Sequence, residues 1–133
     1  MRIMLDTNVL ISIFVFKSKR LEKLLNIVCV HHTLVLSSYI IDELYEVVER
    51  KFPGRTESLD TFLLRIPYEL EHTPKKLPQH NLFTIRDDQD EKVLYTAITA
   101  DVDILITSDK DFFDVEIEKP EILMPSQFLE KYH

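Results

Sequence analysis

Short unbroken apolar runs alternate along this chain with longer stretches whose apolar residues recur every three or four positions. The unbroken runs fit strands buried on both faces of a parallel sheet, and the periodic stretches fit amphipathic helices. Residues 2–5 read as a first strand, where Ile3, Met4 and Leu5 are followed at once by Asp6. Residues 7–16 are mostly apolar and read as a helix capped by Asp6 or Thr7. After the polar patch Lys17-Ser18-Lys19-Arg20, Leu21, Leu24, Leu25 and Val28 mark a helix over about 19–30. Residues 33–37 read as a second strand, and Ser38 as the cap of a helix over about 39–51.

Pro53-Gly54 ends that helix. Leu59, Phe62, Leu63, Ile66 and Leu70 predict another over about 56–71, kinked or split at Pro67. A polar loop over 74–81 follows, and 82–85 fits a short strand or an extended segment. Asp88 with Glu91 resembles a capping box for a helix over about 89–100. Residues 103–107 are the clearest later strand, and Phe112 and Phe113 begin a turn that should pack on the core. Residues 121–124 fit a last strand, and Pro125-Ser126 opens a helix to about Tyr132. Strands alternating with helices predict an α/β sandwich with a mostly parallel sheet. No repeat or linker interrupts the pattern, and 133 residues suit one domain.

Composition narrows the function. A single Gly leaves no glycine-rich loop for a nucleotide phosphate, which argues against a Rossmann dinucleotide site or a P-loop. The one cysteine, Cys29, lies among apolar neighbours, reads as a small buried hydrophobe, and fits a reducing cytoplasm. No run is long enough to span a membrane, and the start does not resemble a signal peptide. The net charge is −7, the wrong sign for a general nucleic-acid binder. Handling nucleic acid would need a local device, such as metal ions held in an acidic cluster.

Four acids offer that device. Asp6 and Asp109 end expected strands, and the carboxyl ends of parallel strands are where ligands gather. If the strands ending in Asp6 and Asp109 flank the point where strand order reverses, the two become neighbours. Asp90 shares the inward stripe of Leu94 and Ala97. Glu43 falls about 40° beyond the apolar arc of its helix, whereas Asp42 and Glu46 point away. Each alone has an ordinary explanation: a helix cap for Asp6, a dipole partner for Asp90, a solvated acid for Glu43, a turn former for Asp109. Together they would repel one another, and a hard divalent cation such as Mg²⁺ is the natural stabiliser. Such an ion serves phosphodiester hydrolysis.

The same residues carry a resemblance. Asp6-Thr7-Asn8-Val9-Leu10-Ile11-Ser12 resembles the opening motif of PIN-domain nucleases. Ser38 through Leu44 resembles their second motif, with its acid at Glu43; Asp90 through Ala97 the third, with its acid at Asp90; Thr107 through Phe112 the fourth, with its acid at Asp109. The resemblance spans essentially the whole chain in the right order. It implies a Rossmann-like, three-layer α/β/α fold and Mg²⁺- or Mn²⁺-dependent ribonuclease activity. It also implies a toxin of a toxin–antitoxin pair, with RNA as substrate, an antitoxin protein as partner and a homodimer as assembly. Thr7, Asn8 and Thr107 would support the site through hydrogen bonds, and Asp111 would add a further acid.

Two rival readings stand beside it. Another Mg²⁺-dependent phosphoryl-transfer enzyme of the haloacid-dehalogenase type would want a second Asp at position 8, where this chain has Asn. A catalytically silent PIN-like interaction domain would keep the fold without binding metal. The five histidines show no zinc-ligand spacing. Lys17, Lys19, Arg20, Lys23, Arg50, Lys51 and Arg55 are candidates for RNA phosphate contacts, with solvated helix faces the ordinary alternative.

Overall fold

Five short strands form the centre of the computed structural model, which describes residues 1–132. They are β1 (Arg2–Leu5), β2 (Thr33–Ser37), β3 (Glu69–Glu71), β4 (Ile104–Ile106) and β5 (Glu121–Leu123). Their order is β3-β2-β1-β4-β5, and every neighbouring pair is parallel. Helices α1 (Thr7–Phe14) and α2 (Lys19–His31) join β1 to β2; α3 (Ser38–Lys51) and α4 (Thr56–Arg65) join β2 to β3. Helix α5 (Asp88–Thr99) leads into β4, a 3₁₀ turn (Lys110–Asp114) follows it, and α6 (Pro125–Lys131) follows β5.

In β1, β2 and β4 the side chains of Ile3, Met4, Leu5, Leu34, Val35, Leu36, Ile104, Leu105 and Ile106 are at most 1% exposed. Successive strand side chains point to opposite faces, so burial of every one means that both faces are covered. The result is the expected three-layer α/β/α sandwich, with a wholly parallel sheet. From β1 the chain steps outward through β2 to β3, then returns past β1 to β4 and β5. Strand order therefore reverses between β1 and β4, where a crevice opens beyond the carboxyl ends. Asp6 and Thr107 immediately follow those two ends.

The structure corrects several local expectations. The helix expected over 56–71 stops at Arg65. Pro67 lacks an N–H and disfavours helical backbone in the residue before it, and Ile66 is extended at φ −93°, ψ 134°. Residues 69–71 instead form the edge strand β3, leaving Leu70 60% exposed. Arg2 ties this edge to the centre through its guanidinium, which binds Glu69 and, at 3.0 Å, Glu71. Of the two alternatives for residues 82–85, the strand does not form.

Two caps lie one residue earlier than the side chains suggested. Ser37 caps α3 by accepting from the Ile40 N–H at 3.1 Å, while Ser38 Oγ accepts from the Thr73 N–H. Asp87 caps α5 by accepting from the Gln89 N–H at 2.8 Å, so the Asp88–Glu91 box does not form. Phe112 is fully buried, but Phe113 turns outward. Cys29 is half-buried rather than enclosed.

Candidate active site

The site begins with two short connections at the end of the sheet. Asp6 leaves β1 and caps α1: its Oδ1 accepts from the Thr7 N–H at 2.8 Å, and its own N–H donates to the Ile106 carbonyl at 3.0 Å. Across the switch point, the Thr107 hydroxyl donates to Asp6 Oδ2 at 2.9 Å. The same hydroxyl accepts from the Asp109 N–H at 3.0 Å, and Asp109 Oδ1 accepts from the Asp111 N–H at 3.0 Å. Thr107 thus couples the first acid to the turn that carries the next two. Buried Phe112 anchors that turn from below.

Asp90 enters from the first turn of α5. Its Oδ2 is buried and has no hydrogen-bond partner among the described residues. One carboxylate oxygen from each of Asp90, Asp109 and Asp111 lies within 4.8 Å of the other two. Asp87 and Asp88, its neighbours, are exposed, so the helix phase that favoured Asp90 holds. Glu43 is half-buried on α3, where it accepts from the Tyr39 hydroxyl at 3.2 Å. Asp42 and Glu46 are exposed, as the helical phase required.

Proton affinities report the crowding. Burial pushes the Asp6 carboxyl up to about 6; its hydrogen bonds from Thr107 and Thr7 oppose the rise, and the charges of Glu43 and Asp109 add to it. Burial likewise pushes Asp90 up to about 7, reinforced by Asp109, Asp87, Asp6 and Asp111. Glu43 also helps raise the Tyr39 phenol, after burial, which keeps it a hydrogen-bond donor.

The compact trio is therefore Asp90, Asp109 and Asp111, with Asp6 and Glu43 flanking it within electrostatic reach. Asp111, expected only as an additional acid, belongs to the innermost group. Thr107 makes the hydrogen bonds expected of it. Thr7 contributes its backbone N–H, while its buried hydroxyl has no partner among the described residues. Asn8 is exposed and makes no side-chain hydrogen bond among the described residues, so no supporting contact stands behind its expected role.

Sequence reading missed Tyr39, Lys92 and Arg86. Tyr39 lies four residues before Glu43, a spacing that places both on one face of a helix and could have revealed the pair. The Lys92 ammonium sits 5.3 Å from the Tyr39 ring centroid. Arg86 comes within 3.7 Å of Asp111 from the loop before α5. Both contacts depend on packing between elements and leave no local signature.

A family model described as PIN domain matches residues 2–111. The chain belongs to the PIN-domain family. No curated protein matches the sequence. Among solved structures, this PIN-domain chain is similar to VapBC2 from Rickettsia felis bound to a DNA fragment from its promoter. The TM-score is 0.70 at 22% identity, over 92% of this chain and 97% of that one. It is also similar to DNA-bound VapBC from Salmonella typhimurium, with a TM-score of 0.67 at 18% identity over 92% and 96% of the two chains. VapC20 from Mycobacterium tuberculosis, a Sarcin-Ricin loop cleaving toxin, matches with a TM-score of 0.61 at 13% identity over 84% and 92%. These likenesses are of fold.

A divalent cation fits the donor set. The trio offers hard carboxylate oxygens, and Asp90 Oδ2 and Thr7 Oγ1 are buried polar atoms without partners among the described residues. Thr107→Val is expected to weaken Mn²⁺ binding by about 10–100-fold, because it releases both Asp6 and the Asp109 turn. Titration calorimetry reads this directly, and wild-type affinity in the variant would remove Thr107 from the site's support.

Proposed function

We propose that this chain acts as a single PIN domain and is a divalent-metal-dependent endoribonuclease, the toxin of a toxin–antitoxin pair. The observation that carries the reading is the convergence of Asp90, Asp109 and Asp111, flanked by Asp6 and Glu43, at the switch point of a PIN-family sheet. Asp90, Asp109 and Asp111 would hold Mg²⁺ or Mn²⁺, with Asp6 and Glu43 completing the negative field. A cation bound there would supply Lewis-acid chemistry for polarising a phosphodiester oxygen and lowering the pKa of water.

The chain's own groups do the rest. Thr107 and the Thr7 N–H orient Asp6 and favour its ionised form. Tyr39 donates to one oxygen of Glu43 and leaves the other free of that bond, so Glu43 is the group that would orient a water. Arg86 and Lys92, at the rim, are placed to attract RNA phosphates to an otherwise acidic surface.

The toxin reading is supported by the fold likeness to VapC components of VapBC toxin–antitoxin systems. On that reading an antitoxin protein covers the site, and the nuclease works as a homodimer in the cytoplasm. Among the described residues no helix is long and apolar enough to cross a membrane.

The test is cleavage of a mixed set of structured RNAs with Mn²⁺, Mg²⁺ or EDTA. Cleavage with metal and none with EDTA is the expected result. Cleavage that continues in EDTA would overturn the metal assignment. Failure to bind either metal by calorimetry would leave the silent interaction domain as the better reading.

A further inference from the structure

An open cleft of about 730 Å³, within the size range of ligand sites, lies against the start of α5. It is lined by the irregular segment before α5 and by Glu91 of that helix. The lining combines aromatic and polar groups: Gln79, His80, Asn81, Phe83 and Glu91. The His80 ring packs between Phe83 and Tyr95, with centroids 4.8 Å and 5.3 Å away. His80 Nε2 also lies 3.7 Å from Glu91 Oε1. This stack fixes an otherwise irregular segment onto α5 and holds the Glu91 carboxylate at the cleft wall.

The position relative to the chemistry matters. Glu91 follows Asp90 in the chain, and neighbouring helix residues point about 100° apart. Asp90 faces Asp109 and Asp111, while Glu91 faces the cleft. The segment's far end carries Arg86, which reaches Asp111. The cleft thus adjoins the acid cluster through two chain neighbours, Glu91 next to Asp90 and Ile85 next to Arg86.

We infer that this cleft is a subsite for one unpaired base flanking the scissile phosphate of the RNA. The inference rests on the ribonuclease reading above and adds a source of base preference to it. Single-stranded RNA is read by stacking bases on aromatic rings and by hydrogen bonds to their edges. Phe83 supplies the ring, and Gln79 and Asn81 supply amides. Glu91 excludes a phosphate by its charge and, as an acceptor-only carboxylate, selects a base edge rich in donors. Guanine fits best, because its N1–H and exocyclic N2 present adjacent donors; cytosine offers its N4 amine.

The test compares wild type with Phe83→Leu, Phe83→Ala and Glu91→Gln on single-stranded RNAs randomised around the cut, beside Asp90→Asn. Wild type should prefer guanine at one position next to the cut. Glu91→Gln should flatten that preference while kcat on the best sequence stays within about twofold, as expected when only a base contact is lost. Phe83→Leu keeps the apolar packing but removes the ring, and should raise KM about tenfold with little change in kcat. Thermal melting of each variant checks folding, and Phe83→Leu serves if Phe83→Ala unfolds.

Unchanged preference and KM in Glu91→Gln and Phe83→Leu, with cleavage lost in Asp90→Asn, would overturn the subsite and leave the nuclease reading standing. Binding of the same labelled RNAs in EDTA, by fluorescence anisotropy, reads the subsite without cleavage. Affinity about tenfold weaker in Phe83→Leu supports it even where no RNA is cut. Equal affinities with no base preference overturn it.

Discussion

Asp90→Asn will lower metal-dependent RNA cleavage by at least about a hundredfold and leave the fold in place. Altering a residue that only supports a metal ligand already costs about 10–100-fold, so losing a direct ligand should cost no less. The substitution is nearly isosteric and removes no hydrogen bond from Asp90 Oδ2, which has no partner among the described residues. Helix α5 keeps its start, because Asp87 caps it. The variant should melt at or above the wild-type temperature in EDTA, since a carboxylate opposed first by burial and then by Asp109, Asp87, Asp6 and Asp111 has been neutralised. It should also gain less from added Mn²⁺. The paired readout separates loss of chemistry from loss of structure. Cleavage at the wild-type rate by purified Asp90→Asn would remove this residue from the reaction.

In EDTA, Asp6→Asn should become progressively more stable relative to wild type as the pH rises from about 4 to 6 and hold that gain to pH 8, by up to about 3 kcal/mol. The sign follows from proton linkage. Asp6 moves from its ordinary value of 3.8 to about 6 in the folded chain, so the folded state binds the proton more tightly. The stability this contributes is complete below about 3.8 and is lost as the pH rises through about 6. Asn cannot ionise and escapes that loss. Asp90, raised to about 7, adds a slope of the same sign to both proteins.

Divalent metal should reverse the comparison near pH 8, because a cation compensates ionised carboxylates and the protons are already released. Metal affinity should accordingly rise with pH between about 5 and 8, through the titration of Asp6 and Asp90. Urea unfolding at several pH values, with EDTA or Mn²⁺, measures both effects. A difference between the two proteins that stays constant from pH 4 to 8 would show that burial does not raise the proton affinity of Asp6.

The parts of this protein that depend on near neighbours are legible along the chain. The uninterrupted run Ile3-Met4-Leu5 is a strand covered on both faces, and the following Asp6 caps α1 at the carboxyl end of the sheet. Helical phase distinguished Glu43 from Asp42 and Glu46, and Asp90 from Asp87 and Asp88. These choices follow from periodicities of two and 3.6 residues, which the chain carries locally. Such periodicity was less able to locate termini: Pro67 ended α4 outright and released residues 69–71 to β3, and Ser37 and Asp87 took the capping roles assigned to their neighbours.

Tertiary structure alone decided how the pieces meet. The reversal between β1 and β4 brings the Thr107 hydroxyl onto Asp6, 101 residues away in the chain. The 3₁₀ turn carries Asp111 into the trio with Asp90, and the packing of His80 between Phe83 and Tyr95 turns an irregular segment into a cleft wall. No local pattern encodes these contacts, because each depends on strand order and on which surfaces two distant elements bury against each other. The raised proton affinities of Asp6 and Asp90 belong to the same category: desolvation and repulsion act across space, between groups the chain keeps far apart until it folds.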